Sequence, residues 1–238
     1  MKHFRKIIPI ISLILFIFLH AGLTQTQAQS ISEWRVGVSV DRTSVDFNRG
    51  WTGLDIFIEP ETGFSAIAQP VFKINEDISF VTGIEYTYFK YRLPSLRAGG
   101  ATIEEAGNPH ISYLSLPLKV KLHHLENLRS LIFTAGFRIS TRIGSSDGIA
   151  RTTQGDTVTE TPHLLSVLSN DVILGVTFGI GYRLPGNMPP LSVDFIYNQD
   201  ITPFYNLFAG TDTSLGVTRL TRIDLWRRSV GLRLSYHF

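Results

Sequence analysis

The sequence contains no cysteine and only two methionines among its 238 residues. Without thiols there is no disulfide scaffold, no cysteine-based zinc site, no thiol nucleophile and no lipid-modified N-terminal cysteine. An excess of one charge is missing too. Lys2, Arg5 and Lys6 take three of the 22 basic residues in a stretch without an acid, leaving 19 basic against 20 acidic residues. A remainder that close to neutral has no electrostatic footprint for nucleic acid. Beyond residue 28 no stretch approaches the ~18 consecutive apolar residues of a transmembrane helix, and helical periodicity is hard to find. There is no phosphate-binding glycine-rich loop. What remains is 43% hydrophobic and 11% aromatic, too apolar for a disordered chain.

The N-terminus reads as an export signal. Met1 to Lys6 is basic, Ile7 to Leu19 is an almost unbroken apolar run, and a small and polar stretch ends at Ala28. The run is shorter than the ~20 residues that span a bilayer, so it fits the hydrophobic region of a signal peptide covering residues 1–28, cleaved after Ala28. A short membrane anchor is the alternative. The mature chain is then 29–238.

In that chain period-two alternation recurs in eight segments of roughly ten residues. They are Trp34 to Asp41, Phe64 to Ile74, Ile78 to Tyr88, Ile111 to Leu122, Leu131 to Ser140, Asp171 to Leu184, Leu191 to Asn198, and Trp226 to Phe238. The sixth is the most regular: Val172, Leu174, Val176, Phe178, Ile180 and Tyr182 alternate with Asp171, Gly175, Thr177, Gly179, Gly181 and Arg183.

Connections and faces point to a membrane barrel. Short links (Asn75 to Asp77, the stretch around Glu126 and Asn127, Pro185 to Pro190) alternate strictly with four links of about 20 to 30 residues. In an up-and-down barrel this puts short turns at the periplasmic end and long loops outside, and an even strand count returns both termini to the periplasm. The polar rows are rich in Gly, Ser and Thr, interrupted by Glu85, Lys119, Arg138, Arg183, Asp194 and Arg233. Small residues and mixed charge suit a narrow lumen filled by side chains. Cations are costly on the lipid face, by ~2–4 kcal/mol at mid-membrane. Lys90 and Arg228, on apolar parity, sit at loop ends where they can snorkel. Trp34, Tyr182, Tyr236 and Phe238 at the turn end, and Tyr86, Tyr88, Tyr197 and Trp226 at the loop end, make two aromatic girdles. The expectation is an all-β, eight-stranded antiparallel up-and-down transmembrane barrel.

Two features strain that reading. Pro70 and Pro117 fall inside central strands, where a closed ladder has no free edge for them, so a bulge is expected at each. Ile149 to Thr153 and Thr157 to Thr161 flank Gln154-Gly155-Asp156 as a hairpin; its Thr-rich faces place it above the membrane in the third long loop.

The chain resembles the small outer-membrane β-barrel proteins of Gram-negative bacteria, of PorT-like or porin-like type. The residues that carry this are the stretch Ser112-Tyr-Leu-Ser-Leu-Pro-Leu-Lys-Val-Lys121, Phe133-Thr-Ala-Gly-Phe-Arg138, and the ending Gly231-Leu-Arg-Leu-Ser-Tyr-His-Phe238. The resemblance implies an integral, non-enzymatic outer-membrane protein in contact with outer-membrane lipid and lipopolysaccharide. It also implies that Tyr236 and Phe238 form the terminal signal read by the barrel-assembly machinery, and some PorT-type relatives take part in protein secretion.

Other chemistry has duller explanations. The lumen row Arg35, Glu85, Lys119, Lys121, Arg138, Arg183, Asp194, Arg227 and Arg233 could line a small-solute channel, but a salt-bridged plug is expected, with Glu85 and Asp194 each on a Lys or Arg. His110 and Ser112, with Glu104 and Glu105 upstream, could form a lipid-modifying site at the rim, yet no orienting acid or oxyanion site is readable. Adjacent His123 and His124 point to opposite strand faces and fit a turn cap better than a metal. Phe204 to Phe208 would mark a protein partner at the external loops or the outer girdle. No cofactor and no metal are expected.

Overall fold

The computed structural model describes residues 31–47, 61–90, 96–98, 101–105, 107–123, 130–146, 148–163, 170–184, 190–203, 205–211 and 219–238. The expected signal peptide and the turn around Glu126 lie outside the described residues.

The described strands are β1 (Ile31–Phe47), β2 (Glu61–Lys73), β3 (Ile78–Val81), β4 (Ile84–Lys90), β5 (Leu96–Ala98), β6 (Ala101–Glu105), β7 (His110–Leu122), β8 (Leu131–Ser146), β9 (Gly148–Gln154), β10 (Thr157–His163), β11 (Val172–Arg183), β12 (Leu191–Asp200), β13 (Tyr205–Thr211) and β14 (Arg219–His237). With β3 and β4 as two halves of one staved strand, each wall strand pairs antiparallel with the next, in the order β1, β2, β3–β4, β7, β8, β11, β12, β14. β14 returns to β1 from Arg35↔His237 to Phe47↔Leu225. Trp34 and Phe238 exchange both backbone hydrogen bonds, at 2.7 and 2.9 Å. The wall is a closed eight-stranded antiparallel barrel without an edge strand, as the alternation predicts. Closure matters because an unpaired N–H or C=O in hydrocarbon costs several kcal/mol.

The faces are inverted relative to a water-soluble protein. Val40 is 65% exposed and Leu232 61%, whereas Arg227, Lys121 and Glu85 are each 1% exposed. A soluble sandwich buries its Val and Leu rows and wets its ions. Here hydrocarbon is the outer solvent, so the apolar row faces out and the charged row turns to the axis. Several strands are longer than the ~9–11 residues a tilted strand needs to cross a bilayer: β1 has 17 residues, β8 16 and β14 19. Their surplus lies on the long-loop side, where β13 pairs with the start of β14 from Tyr205↔Leu225 to Thr211↔Arg219.

The prolines are accommodated differently from the expected bulge at each. The register of β2 is the same on both sides of Pro70, from Ala68↔Ile84 to Val71↔Val81, so no residue is inserted. The register of β7 is likewise unchanged across Pro117, from Glu85↔Ser115 to Val81↔Lys119. What gives way is the strand between them: Thr82 and Gly83 interrupt β3–β4, and both prolines abut that one gap. The Pro70 carbonyl still accepts from Thr82 N at 3.4 Å, so its missing donor faces the gap. Gly83 takes φ 123°. Two register shifts do occur, one close to Pro70 but on the partner strand, between Glu33↔Val71 and Ile31↔Phe72, where Ser32 is the extra residue on β1, and one between Ser112↔Gly144 and Tyr113↔Arg142, where Ile143 is the extra residue on β8.

Outside the wall, β9 and β10 pair around Gly155 from Gln154↔Thr157 to Gly148↔His163, at the position expected for the third-loop hairpin. β9 also pairs with β6, which pairs with β5, so loops two and three together build a second sheet in the order β10, β9, β6, β5.

Gly83 is a position where both the backbone conformation and the lack of space demand glycine. A Cβ there would overlap the Ala68 carbonyl oxygen and lie 2.8 Å from Gln69 Cα. Gly83→Ala should cost about 1–3 kcal/mol in urea unfolding of the bilayer-inserted protein, more than Gly155→Ala, which carries the strain of φ 58° alone and has open space around it. Equal costs at the two positions would contradict the seam.

Candidate functional site: the charged lumen

Inward parity carries the charges into three levels along the barrel axis. At the turn end Glu33 is the hub. Its Oε1 accepts from Lys121 Nζ at 3.2 Å and from His237 Nδ1 at 3.0 Å, and its Oε2 from Arg183 Nη2 at 2.8 Å. His237 Nε2 lies 2.9 Å from the Ser192 hydroxyl. In the middle, Glu85 Oε1 accepts from Arg233 Nη2 at 2.6 Å and Oε2 from Lys119 Nζ at 3.2 Å. Asp194 is held by Arg35 and takes a longer bond from the Ser235 hydroxyl, 3.4 Å. At the loop end Asp200 Oδ1 accepts from both Arg138 Nη2, 2.5 Å, and Arg227 Nη2, 3.2 Å. The Arg227 guanidinium also lies 4.9 Å from the Phe89 ring centre and 5.3 Å from that of Tyr113, and these two rings stack at 6.1 Å.

A solitary ion in this interior would cost several kcal/mol, and its partner repays that only when the geometry is good. Pairing therefore decides which side chains can occupy the lumen. Asp41 is the exception in kind: its Oδ2 accepts from the Ser65 and Ser39 hydroxyls at 2.7 and 3.2 Å, and Oδ1 has no protein partner. Neutral links fill in between, Ser115 to Ser140 at 2.8 Å and Thr177 to Asn198 at 2.8 Å. The small residues of the polar rows make room for the ions. A Cβ on Gly181 would overlap Asp194 Oδ1, and one on Gly231 would overlap Asp41 Oδ1.

Of the six charged residues singled out from the sequence, Glu85, Lys119 and Arg233 meet in one triad. Asp194 joins Arg35, Arg138 joins Asp200 and Arg227, and Arg183 sits at the turn end, 40% exposed on its side chain, against Glu33. Two hubs, Glu33 and Asp200, escaped the sequence reading because each lies one parity step beyond the strand segment counted for it. Extending the odd row from Arg35 to Glu33, and the even row from Asn198 to Asp200, finds both. Tyr236 and Phe238 lie on the outside of the closing strand, 42% and 64% exposed, with rings 6.0 Å apart.

The rim candidates are dispersed. His110 Nδ1 lies 2.7 Å from the Ser146 hydroxyl and its ring is tilted against that of Tyr88 with centres 5.0 Å apart, while the Ser112 hydroxyl lies 3.1 Å from that of Tyr86. Both sit in the outer tyrosine girdle, beside Phe64 stacked on Tyr88 at 5.0 Å. Glu104 and Glu105 belong to β6 of the external sheet. His123 bridges the turn, donating from its backbone to the Asp77 carbonyl at 2.7 Å and meeting the Ser79 hydroxyl at 3.1 Å; His124 lies outside the described residues. From Tyr205 the Phe204 to Phe208 stretch runs in β13, and Phe204 lies outside the described residues.

No family model matches the chain, and no curated protein matches it. Among solved structures it is similar to Neisserial surface protein A, at 14% identity over 86% of this chain and 97% of that one with a TM-score of 0.40. It is also similar to Ail, the attachment invasion locus protein of Yersinia pestis, at 12% identity over 87% and 98% with a TM-score of 0.40. A third is the outer membrane protein OprG from Pseudomonas aeruginosa, at 12% identity over 90% and 99% with a TM-score of 0.40. At this distance the architecture rests on the chain's own strand pairing and inverted faces.

Removing one member of a buried triad should cost more than replacing all of it. Glu85→Ala leaves Lys119 and Arg233 uncompensated and should lower unfolding free energy by about 3–5 kcal/mol. The combination Glu85→Leu, Lys119→Met and Arg233→Met should recover most of that loss. Urea titration in liposomes measures both, and a triple variant worse than the single one would contradict the pairing argument.

Proposed function

We propose that the protein is a non-enzymatic integral barrel of the outer membrane of a Gram-negative bacterium, exported by its N-terminal signal and working through its external surface. The observation that carries this is the lumen. Three ion-paired levels cross it, and the Phe89–Tyr113 pair with Arg227 covers the outermost one. A bore filled in this way leaves the external sheet β10-β9-β6-β5 as the surface on which a partner can act. The separate partners of His110 and Ser112 support a role other than rim catalysis. The outer belt would contact membrane lipid and lipopolysaccharide, and Tyr236 with Phe238 would serve the assembly machinery. A PorT-like place in protein secretion is the more specific version of this reading, with the secretion partner meeting the external sheet.

A narrow small-solute channel is the second reading. It is favoured by lumen polar atoms without protein partners, among them both amide atoms of Gln69 and the Tyr113 hydroxyl, because such atoms call for water. Purified protein in planar bilayers separates the two. The filled-lumen reading expects no steady current at moderate voltage, and still none when Glu85, Lys119 and Arg233 are all truncated to alanine, because the Glu33 and Asp200 levels continue to close the bore. Steady wild-type conductance would favour the channel.

A further inference from the structure

The outermost charged level leaves several donors unused, and one oxygen of its single carboxylate, Asp200 Oδ2, has no partner either. Arg138 and Arg227 share a single oxygen, Asp200 Oδ1. Arg227 Nε and Nη1, Arg138 Nε and the Tyr113 hydroxyl have no hydrogen-bond partner, and neither has Thr87 Oγ1, which belongs to the residue paired with Tyr113 across β4 and β7. Arg138, Arg227 and Asp200 are at most 2% exposed and Tyr113 is fully buried. Two guanidinium groups and one carboxylate leave this level with one uncompensated positive charge. A glycine opposes it: the site of a Cβ on Gly175 is 2.8 Å from Arg138 Nε, so the guanidinium keeps its place only because that side chain is missing. The middle triad, Glu85 with Lys119 and Arg233, also carries one excess positive charge, but there Arg233 Nε is the one donor without a partner among the described residues.

Excess buried positive charge in a low-dielectric interior is costly, and unmet guanidinium donors add to the cost. A neutral water molecule can satisfy the donors without cancelling the charge. An anion does both, since guanidinium N–H groups and hydroxyls donate to it together. The burial of every member excludes a large occupant. We infer that the outer lumen level, bounded by Arg138, Arg227, Tyr113 and Thr87, is a binding site for a small monovalent inorganic anion of chloride type. The Phe89 and Tyr113 rings hold one face of Arg227 and orient its remaining donors. Asp200 positions both guanidinium groups and, as the only carboxylate among the described residues bonded to them, weakens the anion's hold.

The test uses the full folded barrel in detergent micelles and crystals soaked in bromide. An anomalous bromide peak within hydrogen-bond distance of Arg227 Nη1 is expected, together with chloride-dependent line broadening in 35Cl NMR at constant ionic strength against gluconate. Arg227→Lys and Tyr113→Phe should each weaken the broadening several-fold while retaining the folded band on gels. Asp200→Asn should strengthen it, an outcome that a purely structural role for Asp200 does not produce. Water in place of bromide, or chloride broadening unchanged in all three variants, would overturn the site. Conductance is read separately, so loss of this site leaves the filled-lumen result standing.

Discussion

The absence of water outside the wall governs everything else in this chain. In hydrocarbon each backbone donor must find an acceptor within the protein, so the sheet has to close, and Trp34 with Phe238 completes the ring. The same solvent dictates the side chains. Apolar rows cost nothing against lipid, and ions are admitted only on the axis, where other ions and hydroxyls replace the water they have lost. Closure, inversion and charge pairing are three results of one boundary condition.

That condition also explains how the lumen is tuned. An eight-stranded bore has little space, and long charged side chains fill it only if facing positions are small. Gly175, Gly181 and Gly231 act as spaces for Arg138, Asp194 and Asp41, so the glycine-rich character of the polar rows and the charges that interrupt them belong to one packing solution. The contacts are distributed so that each carboxylate hub draws donors from different strands: Glu33 from β7, β11 and β14, and Asp200 from β8 and β14. These contacts tie distant parts of the ring together across the axis, complementing the ladder that ties neighbours.

Much of the wall was readable from the chain because a two-residue period survives any tertiary context that keeps one face in lipid. Phe178, Ile180 and Tyr182 announce their side by parity alone. Partners across the lumen were not readable in the same way, because parity gives direction but not height or neighbour. Arg138 could be placed on the axis, yet nothing local says that it meets Asp200 rather than Glu85. The prolines misled for a related reason. Pro70 and Pro117 are 47 positions apart, and only the register of three strands reveals that one interruption at Thr82 and Gly83 serves both.

The pairing of β6 with β9 has a consequence for how this surface is recognised. Two loops that are separate in the chain are stitched into one surface, with Glu104 opposite Arg151 and Ile103 opposite Thr152. An antibody or phage raised against a synthetic peptide from either loop would see half an epitope, and a substitution drifting in one loop would have to be matched in the other for the combined face to survive.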